Sequence, residues 1–183
     1  NSEVDVNKVG TYTVTYSAVD TAGNKADEIT RKVVVSDSTK PIITLLGEGT
    51  VSHEAATEYV DKGATAKDSL DGDLTVVTAG SVDVSKIGSY TITYNVTDSA
   101  GNAAAEVQRV VTVGDTSIPV ITLLGEATLV HEAKSNYSDA GATASDTLDG
   151  NITDSLVTVS TVNINKVGEY SVSYNVVDAN YNN

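Results

Sequence analysis

A chain of 183 residues with 25 acidic against 11 basic side chains carries a formal charge of -14. A surface this negative repels phosphate backbones and suits cations, so no nucleic-acid partner is expected. Cysteine is absent, which rules out a disulfide framework and a thiolate metal site. No apolar run reaches the ~18 residues of a membrane span, so no membrane insertion is expected in this segment. Val, Thr and Ile are abundant while Phe, Trp and Met are missing, a balance that favours an all-β chain.

The opening residues fall in the middle of a repeat, and the chain reads as a window cut from something longer. Residues 1–41 realign on 79–119, matching Val4 with Val82, Asp20 with Asp98, Arg31 with Arg109 and Pro41 with Pro119. A second match sets Pro41-Ile-Ile-Thr-Leu-Leu-Gly-Glu48 against Pro119-Val-Ile-Thr-Leu-Leu-Gly-Glu126. Three pieces follow: 1–36 is the C-terminal part of a repeat, 41–114 a complete one, and 119–183 one lacking its last strand. A period this long, with several strands per unit, describes beads on a string and not a thin solenoid.

Within the complete repeat, strands are expected near 41–46, 50–54, 58–66, 74–78, 81–84, 89–97 and 104–113. Turn signals separate them at Gly47-Glu-Gly49, Asp71-Gly72, Gly88 and Ser99-Ala-Gly-Asn102. The strand after Gly88 recurs after Gly10 and Gly168, with Tyr and Val or Ile alternating with Thr, Ser or Asn. Such alternation places Tyr90, Ile92, Tyr94 and Val96 on a buried face and Thr91, Thr93, Asn95 and Thr97 in water. Seven short strands without a helical period fit a small antiparallel sandwich. Its Gly-x-Tyr-x-Val/Ile run is similar to the immunoglobulin tyrosine corner, with Val14, Ile92 and Val172 in the slot of the core cysteine. The linkers Ser36–Lys40 and Gly114–Ile118 are short, each ends at a proline, and neither is a Gly/Ser tether.

The string Pro41-Ile-Ile-Thr-Leu45, Tyr59-Val-Asp-Lys-Gly-Ala-Thr-Ala66, Asp71-Gly-Asp-Leu-Thr75, Gly88-Ser-Tyr-Thr-Ile-Thr-Tyr94 and Asp98-Ser-Ala-Gly-Asn102 resembles bacterial Ig-like repeats. The type is that first described in a pesticidal crystal protein and related to hyalin repeats. The resemblance implies tandem immunoglobulin-like antiparallel β-sandwiches in adhesins, surface stalks or appendages of exported enzymes, and an extracellular or cell-surface location. The expected function is that of a non-catalytic structural or adhesive repeat segment, a stiff spacer of a bacterial surface protein or filament. The alternative is a carbohydrate-binding accessory module. Expected partners are neighbouring repeats of the same chain, like subunits in a filament, or cell-surface glycans.

The chemistry-bearing stretch is Asp68-Ser-Leu-Asp71-Gly-Asp73, echoed by Asp146-Thr-Leu-Asp149-Gly-Asn151. By analogy with immunoglobulin topology, it lies at the pole where the preceding linker enters, beside the loop that starts at Asp98 or Asp178. That would gather Asp37, Asp68, Asp71, Asp73 and Asp98 in one repeat, and Asp115, Asp146, Asp149, Asn151 and Asp178 in the next. Crowded carboxylates either hold protons or recruit a cation, and Ca²⁺ accepts oxygen ligands from separate loops. The spacing is not that of an EF-hand, and turn formation by Asp and Gly explains the same residues without metal.

Two other recurrences bear on chemistry. His53-Glu54 returns as His131-Glu132, but one His per repeat lacks the ligands of a zinc enzyme and reads as a surface histidine. Lys8, Lys86 and Lys166 precede the key strand and are either solvated at a corner or joined to Asn in an isopeptide bond. No catalytic residue set is found.

Overall fold

The computed structural model describes residues 3–183, so Asn1 and Ser2 of the opening repeat fragment lie outside the described residues. Ahead of the first proline, β1 (Gly10–Tyr16) and β2 (Ile29–Val35) form an antiparallel hairpin. The central repeat supplies β3 (Ile42–Leu45), β4 (Thr50–Glu54), β5 (Ala64–Asp68), β6 (Gly72–Leu74), β7 (Val77–Ala79), β8 (Gly88–Asn95) and β9 (Val107–Gly114). The last repeat contributes β10 (Val120–Leu123), β11 (Ala142–Asp146), β12 (Gly150–Asn151), a 3-10 turn at Thr153–Ser155, β13 (Val157–Ser160) and β14 (Val172–Asn175). The chain is thus all-β, as expected.

The central repeat folds as two sheets, β3-β5-β6 and β4-β9-β8-β7, the layering of an immunoglobulin-like sandwich. The β3-β5, β5-β6 and β7-β8 ladders are antiparallel, whereas β4 runs parallel to β9, with Thr50 opposite Val110 and Glu54 opposite Gly114. The last repeat forms β10-β11-β12 and the pair β13-β14.

By contacts the chain gathers into two compact units. The first is Asn1–Gly49, Asp61–Gly80 and Ile92–Arg109; the second is Thr50–Val60, Ser81–Thr91 and Val110–Asn183. In the first unit Ile92, Tyr94 and Val96 are buried with Ala66, while Asn95 and Thr97 are exposed and Thr93 is half-buried, the pattern of the alternation with Thr93 short of full exposure. In the second, Ala55, Val111, Val113, Ala142, Ala144 and Val176 are buried.

Tyr90 is half-buried, because it turns a corner instead of filling the core. Its hydroxyl donates to the Lys86 carbonyl at 2.9 Å, and Tyr12 and Tyr170 do the same to Lys8 and Lys166 at 2.8 and 2.9 Å. The repeated Lys therefore contributes its carbonyl oxygen. The Lys86 ammonium stands 77% exposed and pairs with Asp83 at 3.5 Å, so it takes the solvated reading and not the isopeptide one.

Three expected strands are displaced, two of them by a side chain that captures the backbone. The strand expected over 58–66 begins only at Ala64, since Asp61 accepts the Gly63 amide at 2.9 Å and Gly63 takes a positive φ. The strand expected over 81–84 gives way to a turn in which Asp83 Oδ1 accepts the Ser85 amide and hydroxyl at 3.1 and 2.6 Å; β7 lies earlier. The strand expected over 74–78 is split between β6, which starts at Gly72 and ends at Leu74, and β7, which starts at Val77.

The largest fully buried side chain is a cation. Arg109, 1% exposed, lies in phase with Val111 and Val113 on the inner face of β9. Its Nε donates to the Glu48 carbonyl at 2.9 Å and its Nη2 to the Leu46 and Gly63 carbonyls at 2.6 and 3.4 Å. Its Nη1 pairs with Asp61 and donates to the Tyr94 hydroxyl at 2.9 Å, while that hydroxyl donates to Asp61 at 2.7 Å. Burial pushes the Asp61 carboxyl up, but the Tyr94 hydroxyl and the Arg109 guanidinium outweigh it and hold the group below its ordinary value. In the last repeat Asp139 accepts from both Tyr174 and Tyr137.

Candidate metal centres

Two carboxylate clusters form, one in each unit. In the first, Asp37 from the linker between β2 and β3 meets Asp68 at the end of β5 and Asp98 after β8. In the second, Asp115 from the linker after β9 meets Asp146, Asp149 and Asp178. Within each cluster every residue offers a carboxylate oxygen within 4.8 Å of the others. Oxygens bound to one Ca²⁺ at ~2.4 Å lie at most about 4.8 Å apart, so the spread suits a single ion.

Local turn chemistry aims these groups. Asp68 Oδ1 accepts the amides of Leu70 and Asp71 at 2.7 and 3.1 Å, and Asp146 Oδ1 accepts those of Leu148 and Asp149 at 2.7 and 3.1 Å. Those two bonds close the turn before Gly72 or Gly150, and both glycines sit at positive φ. With Oδ1 committed to the backbone, Oδ2 is turned inward. Asp68 is 3% exposed and Asp146 9%, and Oδ2 of each is buried without a hydrogen-bond partner, as is Asp37 Oδ2. A buried carboxylate oxygen lacking a donor is costly, and a bound cation relieves that cost. The backbone amides keep the Asp68 carboxyl below its usual value, so it is ionised at neutral pH.

The third corner is a repeated Asp-x-x-x-Asn turn. Asp98 Oδ1 accepts the Asn102 amide at 2.7 Å and its Oδ2 accepts Asn102 Nδ2 at 2.8 Å; Asp178 and Asn182 repeat this at 2.9 and 2.9 Å. The same amide nitrogens reach the linker, Asn102 Nδ2 to the Asp37 carbonyl at 3.4 Å and Asn182 Nδ2 to that of Asp115 at 3.3 Å. Burial raises the Asp178 carboxyl, but the Asn182 bonds bring it below its ordinary value. These asparagines were outside the expected site. Their signal is the recurrence of Asp20…Asn24, Asp98…Asn102 and Asp178…Asn182.

Of the ten expected residues, seven are brought together. Asp71 lies outside the first cluster; Ser99 binds both its oxygens, amide to Oδ2 at 2.7 Å and hydroxyl to Oδ1 at 2.8 Å. In the last repeat Ala179 stands in that place, and only its amide binds, to Asp149 Oδ2 at 2.8 Å, which leaves Oδ1 for the cluster. Asp73 is exposed on β6. Asn151 Oδ1 accepts the Thr153 amide at 3.0 Å, a turn role. Among the described residues neither cluster contains a histidine. His53 stacks edge-on against Tyr59 at 5.1 Å, and His131 against Tyr137 at 5.3 Å.

A profile of the family described as "Bacterial surface protein, Ig-like domain" matches residues 1–35, 43–113 and 121–183. Pesticidal crystal protein Cry22Aa of Bacillus thuringiensis is 31% identical over 97% of this chain, and internalin I of Listeria monocytogenes 34% over 88%. Hyalin of Strongylocentrotus purpuratus is 33% identical over 68%. The chain spans 25% of the crystal protein, 10% of the internalin and 11% of the hyalin. Among solved structures, the lipoprotein BT2262 from Bacteroides thetaiotaomicron matches 48% of this chain and 46% of its own, at 26% identity and a TM-score of 0.38. The repeats, the sandwich layering and the profile coincide: this chain belongs to the bacterial surface protein Ig-like domain family.

Proposed function

We propose that this chain is a spacer segment of an extracellular bacterial surface protein, in which Ca²⁺ bound at each linker stiffens the joint between successive repeats. The family supports a surface repeat without a catalytic role. The observation that carries the cation is the partnerless, buried Oδ2 of Asp68 and Asp146, each in a cluster that also takes one carboxylate from a linker. All donors are hard oxygens from separate loops, the set that Ca²⁺ accepts in flexible geometry. A cation there binds linker and loops to one point and removes freedom that a short, proline-ended linker has already narrowed.

Calcium titrated calorimetrically into the chelator-treated full chain should give two separable binding events. Asp68→Asn should abolish the first and Asp146→Asn the second. Small-angle scattering should show calcium narrowing the range of particle dimensions. No heat, together with an unchanged melting temperature and scattering curve, would refute the proposal. Specific binding to a glycan array by the calcium-free protein would instead favour an accessory glycan-binding module.

A further inference from the structure

The recurring His-Glu pair has a carboxylate that neither the core nor the acid clusters use. Glu54 is the last residue of β4, opposite Gly114 at the end of β9, and the next amide, Ala55, donates to the Gly114 carbonyl at 2.7 Å. The parallel ladder therefore delivers the Glu54 side chain beside the outgoing linker. There Oε1 accepts the Thr116 amide at 2.9 Å, the Ser117 amide at 3.1 Å and the Ser117 hydroxyl at 2.8 Å. Oε2 accepts the Thr116 hydroxyl at 2.7 Å. Two backbone amides and two hydroxyls converge on one carboxylate, and the Thr116 and Ser117 donors hold it ionised, with its pKa lowered to about 2.

The residue before this clasp is Asp115, a member of the second cluster. The Ser117 amide that binds Glu54 is shared with Asp115 Oδ1 at 3.1 Å. From the other side, Asn180 Nδ2 donates to Asp115 Oδ2 at 2.9 Å and Asn182 Nδ2 to the Asp115 carbonyl. Asp115 thus sits between a clasp on its linker and the loop that carries Asp178.

We infer that Glu54 is a positioning residue for the second centre, fixing the Asp115–Ser117 linker so that Asp115 presents its carboxylate to the cation. The inference rests on the cation reading of that cluster. It assigns Glu54 as a device by which one repeat sets the calcium affinity of the linker that follows it. Groups that orient a metal ligand without touching the ion are worth roughly 10- to 100-fold in affinity, which sets the scale expected here.

The test uses the full chain in an Asp68→Asn background, where calcium heat reports the second centre alone. Glu54→Gln should weaken that binding by at least about tenfold. In an Asp146→Asn background the same change should leave the first centre untouched, which a general loss of structure would not. Ser117→Ala should weaken the second centre less and add little on top of Glu54→Gln. Hydrogen exchange in calcium-free buffer separates the two readings: Thr116 and Ser117 amides should exchange faster in Glu54→Gln. Equal exchange, or calcium affinity unchanged at the second centre, would overturn the inference. Absence of calcium binding by the unsubstituted chain would overturn the cation reading instead, with the exchange arm still judging the clasp.

Discussion

Replacing Arg109 with Met tests what holds the first unit together. Met approximates the length of the arginine stem but donates nothing, so five contacts vanish: three carbonyls, the Tyr94 hydroxyl and the Asp61 carboxylate. Asp61 keeps the Tyr94 hydroxyl and the Gly63 amide, and its side chain is 24% exposed, so water can repair part of its loss. The Leu46 and Glu48 carbonyls lose charge-assisted donors, which are worth more than neutral ones. Removing one partner of a buried pair costs about 3–5 kcal/mol; partial rehydration of Asp61 places this case near 3 kcal/mol. The Leu46 amide, bonded to the Gly63 carbonyl at 3.0 Å, lies where the guanidinium ties β3 to β5. Its hydrogen exchange should therefore quicken by roughly a hundredfold, since each 1.4 kcal/mol is about tenfold. Arg109→Lys should fall between, as an ammonium cannot span carbonyls and carboxylate with a rigid fork. A change under threefold at Leu46 in Arg109→Met would show the buried cation to be neutral toward stability and refute the reasoning.

Tyr90→Phe removes only the hydroxyl that binds the Lys86 carbonyl; it should lower the unfolding free energy by about 1 kcal/mol, read as a shift of the urea midpoint at unchanged slope. Tyr174, whose phenol is pushed up to about 12 by its bond to Asp139, should ionise well above the ordinary tyrosine range in an ultraviolet titration, and Asp139→Asn should bring it back toward that range. A raised folded value means that this contact is complete below the unfolded tyrosine pKa of about 10 and is lost as pH rises through about 12. Glu54 has the opposite sign: its value falls from 4.5 to about 2 on folding, so the clasp is complete above about 4.5 and fails as pH drops toward 2. Amide protection at Thr116 and Ser117 should follow that window. Ser99→Ala frees Asp71 Oδ1 and should tighten calcium at the first centre, on the order of tenfold, because affinity follows ligand charge count.

Alternation made the strands legible because it is a local property: Ile92, Tyr94 and Val96 face inward whatever lies elsewhere in the chain. The same period runs through Val107, Arg109, Val111 and Val113, and through Ile29, Arg31, Val33 and Val35, so both copies set an arginine in phase with the valines, although only Arg109 is buried and Arg31 is exposed. What the pattern lacks is the partner. An arginine is buried only if a carboxylate and free carbonyls await it, and Asp61 lies 48 positions away on a segment whose own alternation suggested an uninterrupted strand. Asp61 ends that strand by binding Gly63, and the same act makes it available to Arg109.

The acid clusters divide along the same line. Residue types and the pole were readable from Asp68…Asp71-Gly72 and the linker Asp, because turn formation is local. Which oxygens face the centre was not, because each carboxylate has two and long-range donors choose between them. The two copies differ here by one hydroxyl: Ser99 takes both oxygens of Asp71, whereas Ala179 takes one of Asp149. Two repeats with the same Asp-Gly motif carry three and four carboxylates at their centres. The difference between the two copies lies in the loop after the Tyr-rich strand, at the residue following Asp98 or Asp178, and not in the acidic motif itself. On the proposed calcium reading, Ser→Ala at that position should raise calcium affinity at its own centre, read by calorimetry, while the melting temperature in chelator stays unchanged.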